Sequence, residues 1–156
     1  PYTGAAAIFC SAIKNNKPPL IYEDGNQRRD FIHVKDLVQG KLLLLNKPEA
    51  DYGIFNIGTG KPSSILELAE TLIELSGKSF NPNVVYKFRN GDIRDCYADI
   101  TKINKLGFQP RFSLKEGLKD LINWSDGQTA ISKVADAHRQ LVEKGLVLET
   151  QPTSIK

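Results

Sequence analysis

Gly25-Asn26-Gln27-Arg28-Arg29-Asp30-Phe31-Ile32-His33-Val34 is the stretch around which the chain is organised. Two adjacent arginines and an aspartate run into an apolar, strand-like tetrapeptide, Phe31 to Val34. Just upstream, Glu23-Asp24-Gly25-Asn26 spells a turn, with Gly25 and Asn26 expected to take the positive φ angles of a tight reversal. Arg89-Asn90-Gly91-Asp92 repeats the arrangement late in the chain, again with arginine and aspartate beside a turn. A guanidinium fork matches phosphate oxygens two at a time and keeps its charge at any physiological pH. An aspartate accepts hydrogen bonds from sugar hydroxyls. The pattern therefore suits a diphosphate ester carrying a ribose. The same residues also serve as solvated turn charges in surface ion pairs worth roughly 0–1 kcal/mol each, and composition alone favours that plainer role.

The 156 residues and 17.3 kDa fit one domain, long enough to bury a core. With 40% hydrophobic and 25% charged residues the chain is ordinary for a soluble protein. A formal charge of +3, without a basic run, gives no support to nucleic acid as a partner. Leu42 to Leu45 is far too short an apolar run to span a bilayer. Pro1-Tyr2-Thr3-Gly4 lacks the basic start of a signal peptide. No membrane association is expected, and the expected compartment is the cytoplasm. Cys10 and Cys96 are the only cysteines and lack metal-ligand spacing, so buried free thiols are expected. With only His33 and His138 as histidines, no zinc or iron site is expected. The absence of methionine, even at position 1, leads to the expectation that the chain is a piece of a longer protein.

Hydrophobic spacing predicts helices over Thr3 to Asn16, from Lys35-Asp36 to near Asn46, from Ser64 to Gly77, over Thr101 to Leu106, from Ser113 to Trp124, and over Ile131 to Lys144. Ser64 with Glu67 and Ser113 with Glu116 spell capping boxes, and Gly77 is expected as a left-handed cap. In the last helix Val134, Ala137, Leu141 and Val142 are expected to face inward. Short strands are predicted at Leu20-Ile21-Tyr22, Tyr52 to Ile57, Val84 to Phe88 and Cys96 to Ile100, with Tyr52 to Ile57 buried. Glu149 to Lys156 should fray. The fold class is α/β: a small mixed sheet with helices packed on it.

Gly58-Thr59-Gly60 sits at a strand-to-helix junction and invites a phosphate-loop assignment. It lacks the third glycine of the dinucleotide fingerprint, and Lys61 is followed by Pro62 where a triphosphate loop needs Ser or Thr. A tight structural turn is the expectation, with helix-terminus anion binding as the alternative. Glu23 with Asp24, and Asp92 with Asp95, read as turn residues rather than an acid/base dyad. His33, between Ile32 and Val34 in a strand, reads as a hydrogen-bonded structural histidine. No catalytic set emerges.

Taken together, Pro1-Tyr2-Thr3-Gly4, Ile21 to Gly25, Arg29 to Val34, Phe55 to Gly60 and Gly91 to Asp99 resemble the C-terminal, substrate-binding half of an extended short-chain dehydrogenase/reductase. The resemblance is to the NAD-dependent nucleotide-sugar epimerases and covers residues 1 to about 125. The stretch from Trp124 to Val147 looks like the extra C-terminal helix of the dTDP-L-rhamnose 4-epimerase-like branch, and UDP-glucose 4-epimerase relatives share the first part. The implied organisation is a nucleotide-sugar-binding portion at 1–125, an extra helix at 126–148 and a flexible tail at 149–156.

In such enzymes the Rossmann half binds NAD and carries the Tyr-x-x-x-Lys pair that epimerises C4 through a 4-keto sugar. Neither that pair nor the NAD loop is in this chain, so the resemblance implies no catalysis and no cofactor for the fragment alone. It implies Arg29 and Arg89 on the diphosphate of a dTDP- or UDP-sugar, Asp92 on a ribose hydroxyl, Leu20 and Tyr22 at the pyrimidine, and Phe31 in the wall. It also implies a homodimeric parent and an apolar surface, from Ala5 to Phe9 and Gly58 to Pro62, facing the absent half. A dehydratase, decarboxylase or reductase of the same superfamily, or a non-catalytic binding module, remains the alternative.

Overall fold

Ser64 and Ser113 open their helices as the spacing to Glu67 and Glu116 requires. The Glu67 amide donates to Ser64 Oγ at 2.9 Å, and the Ser64 amide donates back to Glu67 Oε2 at 3.3 Å. The reciprocal pair at Ser113 and Glu116 is equally complete. Each box satisfies two backbone donors that a helix N-terminus otherwise leaves unpaired. The computed structural model describes residues 4–89, 91–128 and 134–149. Its helices are α1 (Ala5–Lys14), α2 (Val34–Leu45), α3 (Ile65–Leu75), α4 (Thr101–Asn104), α5 (Leu114–Ser125) and α6 (Val134–Glu143). Its strands are β1 (Leu20–Ile21), β2 (Arg28–Arg29), β3 (Ser63–Ser64), β4 (Asn83–Val84), β5 (Lys87–Arg89), β6 (Asp95–Cys96) and β7 (Val147–Glu149).

The apolar stripes of α1, α3 and α5 close on one another. Phe9 and Ile13 from α1, Leu68, Leu72 and Ile73 from α3, and Leu118 from α5 form the main core, with Ile21 of β1 beneath. Gly77 ends the α3 region at φ 63°, as expected of a left-handed cap. A second cluster joins Ile100, Ile103 and Phe108 to the partly buried Ile32, Leu43, Leu44, Phe55 and Ile57.

β2 is the centre of the three-stranded sheet. It runs antiparallel to β3 and parallel to β6, setting Arg28 opposite Asp95 and Arg29 opposite Cys96. A second strip pairs β1 with β4 in parallel and continues through hydrogen bonds from Val85 N to Ile21 O and from Glu23 N to Lys87 O. β5 then pairs antiparallel with β7. The single strand expected over Val84 to Phe88 is thus broken in two, because Tyr86 adopts φ 52°.

α2 is amphipathic in an inverted sense. Its inward side carries Asp36, Gly40, Leu43 and Leu44. Gly40 packs so closely that an added Cβ would lie 2.7 Å from Ile57 Cγ2. Asp36 is fully buried, and its Oδ2 accepts from the amides of Arg111 (2.9 Å) and Phe112 (3.0 Å), stapling the helix start to the α5 approach. Val34, Val38, Leu42 and Leu45 form an apolar line facing outward, beside a shallow depression of about 280 Å³. No helix among the described residues is long and apolar enough to cross a membrane.

Several expectations are corrected. Tyr52 to Ile57 is not a buried strand: it pairs with no strand among the described residues, and Tyr52 and Ile54 are exposed. Strand formation needs a partner, which local apolar content cannot supply. Phe31 to His33 lies outside the sheet, which keeps only Arg28 and Arg29 of that stretch, and Val34 already belongs to α2. The turn after β1 takes positive φ at Glu23 and Gly25, not at Asn26, whose amide and side chain instead donate to Asp24. Cys96 is exposed rather than buried. α1 buries Phe9 and Ile13 in the main core, and large exposed apolar side chains lie along α2 and also at Tyr52, Ile54 and Trp124. Ala137 and Val142 of α6 are exposed. The expected features at Pro1–Thr3, Asn90, Ile131 and the tail from 150 onward lie outside the described residues.

Candidate functional site

Pairing β2 beside β6 brings the two arginine-aspartate turns together. Arg28 grips Asp95 with both arms of its fork, Nε to Oδ1 at 2.8 Å and Nη2 to Oδ2 at 2.9 Å. Arg94 reaches back to the first turn, to Glu23 Oε2 at 2.6 Å and to both Asp24 oxygens at 2.7 and 2.8 Å. That guanidinium, and after it the amide and side chain of Asn26, hold the Asp24 carboxyl well below the usual carboxylate range. Arg28 likewise draws Asp95 down. These carboxylates are ion-pair partners and not an acid/base pair.

Arg29 is placed differently. Its guanidinium donates to backbone carbonyls, to Arg28 O (2.8 Å), Arg94 O (3.1 Å) and Ile93 O (2.6 Å). Carbonyls orient the fork without neutralising its charge. The result is a fixed, partly exposed cation at the seam between the two turns, on the segment that also carries Asp92. Asp92 is exposed and has interactions of its own. Arg89 ends β5, with Val147 of β7 as its backbone partner. Leu20 is in β1 opposite Asn83. Tyr22 follows it, with its carbonyl accepting from Gln27 Nε2 at 2.8 Å and its hydroxyl 2.6 Å from His138 Nδ1. Phe31 packs, partly buried, against the main core.

Asp30, next along from Arg29, governs the Gly58-Thr59-Gly60 loop. Its carboxylate accepts from the Thr59 amide (2.8 Å), the Thr59 hydroxyl (2.6 Å), the Gly60 amide (3.2 Å) and the Ala98 amide (3.3 Å). Gly58 lies against the same carboxylate, where a Cβ would collide with Asp30 Oδ2 and Ala98 Cβ. The loop amides that might have received an external anion are engaged by an internal one. The turn is structural.

His33 is a structural histidine, but as the N-cap of α2 rather than in a strand. Its Nδ1 accepts from the Lys35 amide at 3.2 Å, and its ring stacks on Phe112 at 4.2 Å. The roles of Arg94 and His138, the pairing of Arg28 with Asp95 and the hold of Asp30 on the Gly58-Thr59-Gly60 loop were not legible in local sequence. Gly58 was the nearest available signal for Asp30, since glycine is a residue that permits close approach of a neighbouring group.

Residues 2–58 match the family described as the NAD dependent epimerase/dehydratase family. Over those residues the chain is similar to that family. The UDP-glucuronate 4-epimerase of Thermodesulfobacterium geofontis is 40% identical over 119 residues, covering 75% of this chain and 36% of the relative. The dTDP-L-rhamnose 4-epimerase of Burkholderia thailandensis is 33% identical over 124 residues, covering 79% of this chain and 34% of the relative. The crystal structure of the UDP-glucose 4-epimerase of Thermotoga maritima, determined with UDP-glucose, superposes with a TM-score of 0.72 at 34% identity, covering 80% of this chain and 40% of that one. The chain thus spans about a third of the length of these curated relatives. The family uses NAD. In this chain the Gly-x-Gly loop has the amides of Thr59 and Gly60 engaged by Asp30.

Proposed function

We propose that this chain is the nucleotide-sugar-binding portion of an NAD-dependent nucleotide-sugar 4-epimerase whose redox chemistry belongs to another portion of a longer protein. The observation that carries this is Arg29: a guanidinium aimed by carbonyls and, among the described residues, without a carboxylate partner, at the junction of two turns. A diphosphate is the ligand such a fork suits, taking two parallel charge-assisted hydrogen bonds. Arg89 completes the grip, Asp92 accepts a ribose hydroxyl, Leu20 and Tyr22 border the pyrimidine, and Phe31 backs the wall. The ion pairs of Arg28 and Arg94 are the scaffold that holds the two turns in register.

Holding the nucleotide supplies binding energy remote from the reacting carbon, so the sugar ring itself can turn over between oxidation and reduction at C4. This chain by itself catalyses nothing, since none of its tyrosines has a lysine four residues on. The outward apolar line of α2 supports a second body packed there. Calorimetry of the longer protein with UDP and with dTDP tests the assignment. Arg29→Ala and Arg89→Ala should each weaken binding by about 1.5–3 kcal/mol; unchanged affinity in both variants would refute it. Turnover of dTDP- and UDP-sugars by the same protein separates epimerase from dehydratase or reductase.

A further inference from the structure

We infer that the C-terminal arm formed by α6 and β7 is part of the nucleotide site, with His138 as a positioning residue that fixes the Tyr22 ring at the base end. This rests on the assignment of Tyr22 and Arg89 given under the proposed function. Two separate contacts carry it. From α6, His138 Nδ1 stands 2.6 Å from the Tyr22 hydroxyl, with ring centroids 5.8 Å apart and planes tilted by 44°. From β7, the backbone of Val147 pairs with Arg89 and that of Glu149 with Lys87. The arm therefore touches the strip at the residue assigned to the base and at the residue assigned to the diphosphate.

Tyr22 is held from both ends. Its carbonyl is bonded by Gln27, which is 6% exposed, and its hydroxyl by His138. An aromatic side chain tethered at backbone and tip loses little further freedom when a flat base arrives, which is the condition for a preorganised contact. The tether to His138 spans 116 residues of sequence, so no local helix or turn accounts for it. The ligand end concerned is the pyrimidine, and the selectivity expected of His138 is for base-bearing nucleotides over the bare diphosphate.

The test uses the longer protein, with UDP and inorganic pyrophosphate as probes. His138→Phe should weaken UDP binding about three- to tenfold, the size of one net hydrogen bond, and leave pyrophosphate affinity unchanged. His138→Gln, which keeps a group able to bond the hydroxyl, should recover most of the loss. Tyr22→Phe should show a similar loss, and the double variant should be no worse than either single one. A His138→Phe protein that melts like the parent and binds UDP as tightly would overturn the inference. So would equal losses for UDP and pyrophosphate, or additive losses in the double variant. If His138→Phe does not fold, His138→Gln and Tyr22→Phe carry the same comparison. Arg29→Ala and Arg89→Ala separate the two levels: if they weaken UDP while His138 variants do not, only the arm's role fails, and if both leave UDP unchanged both fall.

Discussion

The carboxylate of Asp30 receives both the amide and the hydroxyl of Thr59, at 2.8 and 2.6 Å. One side chain thus fixes the loop that follows Ile57 relative to the strand that carries Arg29. Asp30→Ala should cost about 1.5–3 kcal/mol of unfolding free energy, as donors that face a charged acceptor are left without it. Urea denaturation of the variant checks this. A loss under about 0.5 kcal/mol, typical of an exposed surface change, would mean that solvent replaces the carboxylate freely.

Acid should weaken the first turn in a defined direction. Arg94 lowers the folded-state pKa of Asp24, so its stabilising contribution is fully present above the unfolded value of about 3.9 and fades as pH falls below it. Asp24→Asn removes that dependence. Thermal melts should therefore show the parent more stable than the variant above about pH 5, with the gap closing below about pH 4. A gap that stays constant down to about pH 2.5 would show that the Asp24–Arg94 pair does not carry the linkage.

The outward line of α2 should govern how the isolated chain behaves. Leu42 is 53% exposed and Leu45 81% exposed, on the same helix face as Val34 and Val38. Leu42→Lys combined with Leu45→Glu should reduce self-association in sedimentation velocity while changing unfolding free energy by no more than about 0.5 kcal/mol per site. In the longer protein the same pair should impair folding or activity if, as proposed, a second body packs on this face. A variant of the isolated chain that associates as strongly as the parent would point to another surface.

Local chemistry made part of this molecule legible. The capping serines and glutamates lie three residues apart, so these two helix starts can be read from the sequence alone. Arg29 stands out in the sequence because it lies beside a turn. Its partners were not, since the carbonyls of Ile93 and Arg94 reach it only through the parallel pairing of β2 and β6. The grip of Arg28 on Asp95 crosses 67 residues. Tyr52 to Ile57 misled for the same reason: an apolar extended segment becomes a strand only beside another backbone edge. α2 misled differently, because helical periodicity identifies an apolar face without saying what covers it.

The central claim is that this chain holds the nucleotide of a nucleotide sugar between its two arginine-bearing turns. A crystal structure of the longer protein with UDP measures that directly. The account predicts the diphosphate lying between Arg29 and Arg89, with guanidinium nitrogens about 2.7–2.9 Å from its oxygens and Asp92 at the ribose. A diphosphate bound elsewhere, or two arginine side chains directed away from any shared cleft, would contradict it.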